Sequence, residues 1–270
     1  MFEKVLFPTD FSVYADKTLE CGYELKELGV KEVTLIHVID RSVLEYVDAF
    51  YGADTTTIIE DVEEKAKREL EKRVKMLEQE GIKAGYTIAV GDPATEIVNA
   101  AKGFSAILIG AKGKGALSSA FIGSVSESVI KESPVPVLVT KLKVVKKEEG
   151  YHCELIYGKM FEKVLYATDF SEDEKKIECI KEFPSKKAIV LHVLEHGEDK
   201  EDAALKLKKI GEKLNAEHVL REGKPCKEIL KVAEDLNCTI VIMGRAKESG
   251  LFGTTVDCVL RRSEAPIFIL

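Results

Sequence analysis

The sequence predicts an α/β protein made of two doubly wound parallel-sheet domains in tandem. One observation is an internal repeat: residues 1–12, MFEKVLFPTDFS, return at 160–171 as MFEKVLYATDFS, changed only at Phe7 to Tyr166 and Pro8 to Ala167. A second is the alternation of short, branched apolar runs with longer amphipathic stretches, the pattern of parallel strands joined by crossover helices. The third is length, since 270 residues suit one large domain or two of ordinary size. The order of the later matches is kept: Leu35–Ile39 with Val190–Leu194, Gly91-Asp92-Pro93 with Gly223-Lys224-Pro225, Ala106–Gly110 with Ile240–Gly244, and Ser133–Val137 with Ser263–Ile267. The boundaries expected are a first domain at 1–142, a charged linker at 143–159 and a shortened second domain at 160–270.

In the first repeat, residues 3–8 read as a strand, and Ser12 caps a helix that runs to about Leu28 and stops at Gly29. A strand follows at 32–39. Residues 40–56 carry no clear period. Thr57, with Glu60 three residues on, then makes a capping box for a long helix with Ile58, Val62, Ala66, Leu70, Val74 and Leu77 on its apolar face, ended by Gly81. A strand near 86–90 leads into Asp92-Pro93, the cap and first residue of a short helix that carries Ile97 and Ala100 and ends at Gly103. Strand 104–109, a glycine loop, a helix at 124–132 and a strand at 135–140 complete the unit. An apolar strand edge left open is an aggregation hazard, so the runs at 135–139 and 265–269 are expected to pair with each other within the chain or across a homodimer.

Composition narrows the function classes. A net charge of −7, with lysines interleaved among glutamates, presents no basic face for nucleic acid. No run of about 18 apolar residues appears, and Met1-Phe2-Glu3-Lys4 leads straight into a strand without an apolar signal core, so a cytoplasmic protein without membrane association is expected. The six cysteines form no C-x-x-C pair and read as reduced thiols. His192 and His196 stand four apart at the end of a strand, where that spacing does not bring side chains together, and no metal site is expected. His37 and His192 read as satisfied residues on a sheet.

The informative stretch is Ile107-Leu108-Ile109-Gly110-Ala111-Lys112-Gly113-Lys114, followed by Gly123-Ser124-Val125-Ser126. It reads as a buried strand, a glycine loop and a helix that starts on glycine and a hydroxyl. Amides released by glycines and the positive end of the helix converge to favour a phosphate. Ser124 and Ser126 add hydroxyls, and Lys112 and Lys114 add charge. Gly115-Ala116-Leu117 does not supply the Gly-Lys-Ser/Thr of a P-loop, and Ser118 stands in the last place of a dinucleotide G-x-G-x-x-G. Ligands of doubly wound sheets sit beyond the carboxyl ends of the strands where strand order reverses. That rule draws Pro8-Thr9-Asp10, Val38-Ile39-Asp40 and the glycine loop to one place.

The spacing Gly110-x2-Gly113-x9-Gly123-Ser124 resembles the nucleotide loop of the ATP-binding branch of the universal stress protein family, with every fixed position filled. The likeness extends from the PTDFS opening through HVID to PVPVLV. It implies a Rossmann-like, adenine-nucleotide-binding fold. It further implies that Asp10 and the backbone near Val38 recognise the base, while Gly110, Gly113, Gly123 and Ser124, with Ala111 and Val125 between them, hold ribose and phosphates. ATP is the implied cofactor, with Mg²⁺ alongside its phosphates left open. Asp10 also has a local reading, a strand-to-helix turn in which it accepts backbone N–H bonds and Ser12 caps.

The second repeat departs from this pattern. Lys247 stands at the second glycine's place, and five residues instead of nine separate it from Gly253-Thr254. Lysine neither takes positive φ cheaply nor lets a phosphate approach as glycine does, so this copy is expected to be silent. The resemblance implies a tandem stress-response protein in which ATP in the first repeat acts as a switch. Two other readings stay open: a slow ATPase, for which no clear base stands near the loop, and a scaffold whose nucleotide only stabilises the fold. The sequence names no catalytic residue and no protein partner.

Overall fold

A computed structural model of the chain describes residues 2–42, 55–111, 122–147, 150–155, 159–172, 174–245 and 253–270. It divides into two compact units, one of Phe2–Leu117 with Ile122–Pro136, the other containing Val137–Leu270.

In the first unit the strands are β1 (Lys4–Pro8), β2 (Glu32–Asp40), β3 (Lys83–Gly91) and β4 (Ala106–Gly110). They lie in the order β4-β1-β2-β3 and all pair in parallel. Successive residues of β1 and β4 are buried, as in a sheet covered on both faces, whereas the edge strand β3 is half exposed. Strand order reverses between β1 and β4, which makes their carboxyl ends the switch point.

The helices follow the sequence reading with local departures. Helix α1 (Val13–Cys21) is capped by Ser12, whose Oγ accepts from the Ala15 N–H. It gives way at Gly22 to a 3₁₀ segment, Gly22–Leu28, where one continuous helix was expected. Glycine has little preference for the α form, and the tighter turns still bury Leu25 and Leu28. Gly29, at φ +78°, ends the segment as expected. Helix α2 (Thr55–Gln79) begins two residues before the expected cap, so Thr57 lies inside it. Three successive threonines offer equivalent starts, and the pattern alone does not choose among them. Helix α3 (Pro93–Ala101) has the expected entry: Asp92 accepts from the backbone and hydroxyl of Thr95, which hold its carboxyl below the usual range. Helix α4 spans Ser124–Glu132 as expected.

The unit containing Val137–Leu270 repeats the plan with β8 (Lys163–Ala167), β9 (Lys187–Leu194), β10 (Glu217–Glu222), β11 (Ile240–Met243) and β12 (Ile267–Ile269). Its helices are α5 (Glu174–Lys181), α6 (Lys200–Leu214), α7 (Pro225–Asp235) and α8 (Thr254–Arg262). The order is β10-β9-β8-β11-β12-β5, where β5 is Val137–Thr140. All neighbours are parallel except the last pair, in which Val137 faces Ile269 and Val139 faces Ile267 in antiparallel register. The two apolar terminal runs therefore pair within the chain. The stretch read as a charged linker contains a hairpin, β6 (Leu142–Lys147) with β7 (Gly150–Leu155), in register from Leu142↔Leu155 to Lys147↔Gly150.

Cys226 and Cys258, expected as reduced thiols, are joined in a disulfide between α7 and α8. Their 32-residue separation hid the pair, because the packing of two helices brings them together rather than any local spacing. Cys179 and Cys238 are free and buried.

Candidate functional site

Beyond β1 the chain turns through Thr9-Asp10-Phe11-Ser12, and local bonds build that turn. The Phe11 N–H donates to Thr9 Oγ1 at 3.1 Å and the Ser12 N–H to Asp10 Oδ1 at 3.0 Å. Phe11 takes φ +60°, a region that costs a bulky residue about 1–3 kcal/mol and needs outside support. Support comes from both faces of the ring. His37, on β2, stacks on it at 4.2 Å, and the Arg73 guanidinium of α2 lies 4.9 Å from its centroid. His37 Nδ1 donates to the Thr9 carbonyl at 2.9 Å, which ties β2 to the turn. Arg73 is itself held by Asp16 at 2.6 and 2.9 Å and by Glu69. The local reading of Asp10 is thus correct for one of its oxygens, and His37 is satisfied as expected.

Across the switch point, the end of β4 is bound to the start of α4. The Gly123 N–H donates to the Ala111 carbonyl at 3.0 Å, and Ser126 Oγ donates to the Gly110 carbonyl at 2.9 Å. The two ends of the glycine loop are therefore adjacent. Ser126, expected to offer its hydroxyl hydrogen to a phosphate, directs it to Gly110 and sets the angle between strand and helix. Ser12 and Asp92 cap α1 and α3 with their side chains, whereas the Gly123 N-cap has no side chain to cap α4, whose amino end carries the positive end of the helix dipole. Gly123 has an ordinary φ of −64°, so its value here is close approach rather than left-handed backbone.

Pro8, Thr9 and Asp10 thus stand at the carboxyl end of β1, and Gly110 and Ala111 at that of β4, with Gly123, Ser124 and Val125 at the amino end of α4. Val38 lies on β2 opposite Ala89 of β3. Lys112, Gly113 and Lys114 fall outside the described residues. An α4 amino end facing a glycine-terminated strand suits a phosphate or another small anion.

The second repeat keeps the same turn and changes the floor. Phe170 takes φ +64° and stacks on His192 at 4.1 Å, with Lys206 in place of an arginine at 5.9 Å. His192 Nδ1 donates to the Thr168 carbonyl at 2.8 Å, and Nε2 lies 3.0 Å from Glu198 Oε1. Glu172 has no acidic counterpart in the first repeat, where Val13 occupies its place and is 60% exposed. Its carboxylate accepts from Thr168 Oγ1 at 2.7 Å and lies so close to Gly244 that a Cβ there would stand 2.4 Å from Oε1. Gly244 is the counterpart of Gly110, so an anion already covers the spot where a phosphate would approach. These residues do not fit a nucleotide's phosphates. Neither Glu172 nor the Phe11 stack entered the sequence reading; laying the repeats side by side would have exposed the Val13-to-Glu172 change.

The model of the universal stress protein family matches residues 1–141 and 180–270. The chain belongs to the universal stress protein family. Universal stress protein MJ0577 of Methanocaldococcus jannaschii is 39% identical over 157 residues, which cover 53% of this chain and 97% of that protein. Universal stress protein MJ0531 of the same organism is 33% identical over 143 residues, covering 52% and 83%. Among solved structures, a universal stress protein from Archaeoglobus fulgidus superposes with a TM-score of 0.76 at 30% identity, covering 98% of this chain and 95% of that one. That match runs through both repeats, so the tandem arrangement of two universal-stress folds is shared. Among the described residues no helix is long and apolar enough to cross a membrane.

Proposed function

We propose that the first repeat binds one ATP across the β1/β4 switch point and that occupancy of this site acts as a regulatory switch. One observation carries the reading: the Gly123 and Ser126 bonds hold a side-chain-uncapped helix start against the glycine end of β4, in a chain whose loop has the complete Gly110-x2-Gly113-x9-Gly123-Ser124 spacing. In this reading Pro8, Thr9 and Asp10 with the backbone at Val38 meet the base. Gly110, Ala111, Gly113, Gly123, Ser124 and Val125 surround ribose and phosphates, and Lys112 and Lys114 balance their charge, with Mg²⁺ accompanying the triphosphate. Ser126 positions the strand and helix for it. The protein works in the cytoplasm, and the β5–β12 pairing occupies within the chain the two edges that a homodimer could otherwise have used.

The test is thermal and urea unfolding of the full chain with ATP, together with phosphate release. ATP at a hundred times its dissociation constant is expected to stabilise the first unit by about 2.7 kcal/mol, without steady phosphate release. Steady release would make the protein an ATPase. No stabilisation at millimolar ATP would contradict the reading.

A further inference from the structure

The Cys226–Cys258 bridge has no counterpart in the first repeat, where Ala94 and Ser128 stand at the matching places. It ties α7 to α8 with the two Cα atoms 6.0 Å apart. Pro225, next to Cys226 in α7, and Val256, two residues ahead of Cys258 in α8, line a cavity of about 610 Å³ at the carboxyl ends of β8, β9 and β11. The bridge therefore fastens two walls of one cavity to each other. Both of its cysteines are half-buried and within reach of a small thiol, whereas the free Cys179 and Cys238 are buried.

The two sulfurs sit in unlike electrostatic settings. Cys226 is the second residue of α7, and the N-cap residue Lys224 makes no side-chain bond to the helix. The positive end of the helix dipole thus falls at Cys226, with Lys224 and Lys227 beside it in sequence. Glu228 is the acid nearest to it in sequence, and that side chain lies against Gly223, ahead of the helix. Cys258 lies in the second turn of α8, where the dipole has faded. Asp257 precedes it and is paired with Arg261 at 3.0 Å, and Arg262 follows one turn on, so charges of opposite sign offset there. A thiolate is favoured at a helix amino end among lysines, which makes Cys226 the better leaving group and the better nucleophile of the pair at neutral pH.

We infer that Cys226 and Cys258 form a reversible redox site, Cys226 being the reactive thiol and Cys258 its resolving partner. The reductant is a dithiol. In the cytoplasm proposed above dithiols keep thiols reduced, and protein disulfides there are as a rule transient and redox-sensing. One thiolate of the reagent attacks Sγ of Cys258, the Sγ–Sγ bond breaks, and Cys226 leaves as the thiolate. The reagent's second thiol loses its proton, attacks its sister sulfur and releases Cys258. Two electrons and two protons have then passed to the chain, which holds two thiols, and the reagent has become a cyclic disulfide. In the reverse direction the Cys226 thiolate attacks the oxidised reagent and Cys258 closes the bond. While the bond is open, α7 and α8 are joined by packing alone, and the cavity wall they form loosens. The cytoplasmic reading supplies only the source of the dithiol, the reaction is measured on the purified chain whatever its compartment, and the ATP reading does not enter.

The experiment treats the folded full chain, without denaturant, with dithiothreitol and then with its oxidised cyclic form, and counts thiols by alkylation and peptide mass. The bridge is expected to open within minutes with the helical circular dichroism retained, and to close again in the oxidised reagent. In the reduced chain a short pulse of iodoacetamide at pH 6.5 is expected to label Cys226 at least tenfold faster than Cys258. Hydrogen exchange across α8 is expected to be at least threefold faster in the open chain than in the closed one. A bridge that opens only once urea has unfolded the unit is a fixed cross-link and would overturn the inference. Equal labelling of the two thiols, labelling with Cys258 ahead, or exchange in α8 indifferent to the bridge would overturn it as well.

Discussion

Replacing Cys226 by Ala and Cys258 by Ser writes into the second repeat the residues that stand at the matching places of the first, Ala94 and Ser128. Both cysteines are half-buried, so the exchange leaves little cavity, and the dominant loss is the cross-link. A bridge across 32 residues removes about 12 cal/mol/K of chain entropy from the unfolded state, worth about 3.7 kcal/mol at room temperature on the loop-closure account. For a unit of this size a urea dependence of about 2 kcal/mol per molar turns that loss into a midpoint shift of nearly 2 M. The assay is urea unfolding, followed by circular dichroism, of the wild type, the wild type under reductant and the double variant. Reductant is expected to move the wild-type transition of this unit onto that of the variant and to leave the variant unmoved. A wild-type transition indifferent to reductant, with both thiols alkylated in its absence, would refute the reasoning.

The remaining predictions concern thiols and the Phe11 turn. Burial, with the charge of Glu182 adding to it, pushes the Cys179 thiol up to about 12, and burial pushes Cys238 up to about 11 against the pull of Lys163 and Lys187. At pH 8 the folded chain is therefore expected to resist iodoacetamide at both positions, while the urea-unfolded chain reacts at both, as read by peptide mass. Because these thiols stay protonated when folded and ionise near 9 when unfolded, their contribution to stability is complete below 9 and falls as pH rises toward 11–12, a trend that unfolding midpoints follow. Arg73→Gln removes a guanidinium whose side chain is 8% exposed from Asp16, Glu69 and the Phe11 ring. Asp16 is 42% exposed, so solvent screens part of the loss; a destabilisation of roughly 1–2 kcal/mol is expected by urea unfolding, with weaker ATP binding as the turn loosens.

Parallel strands covered on both faces leave a strong sequence signal, and the buried runs of β1, β2 and β4 fall close to where their branched residues put them. Asp92-Pro93 was legible because one residue caps and the next pre-sets the first helical φ. The hairpin β6–β7 was not. Its lysines and glutamates read as a solvated connector, while Lys143↔Glu154 and its neighbours pair through backbone, which carries no hydrophobic pattern. The length of β3 was missed for a related reason: an edge strand is half exposed, and Lys83-Ala84-Gly85 has no apolar alternation. At the site, chain order located the ends of β1 and β4, because both lie next to glycine or turn residues. The contributions of Arg73 and Glu172 arise from residues distant in sequence that the sheet brings together, and only comparison of the two repeats hints at the latter. The disulfide belongs to the same class.

The central claim, one adenine nucleotide in the first repeat and none in the second, is tested most directly by releasing the bound contents of the purified chain. The protein is denatured, freed nucleotide is identified and quantified by chromatography, and the measurement is repeated with Gly113→Lys, which copies Lys247 of the second repeat into the first. One ATP per chain, lost in the variant, is the predicted result. Two per chain, or one that survives Gly113→Lys, would contradict the assignment of the site, and no nucleotide together with no binding when ATP is added back would contradict the function.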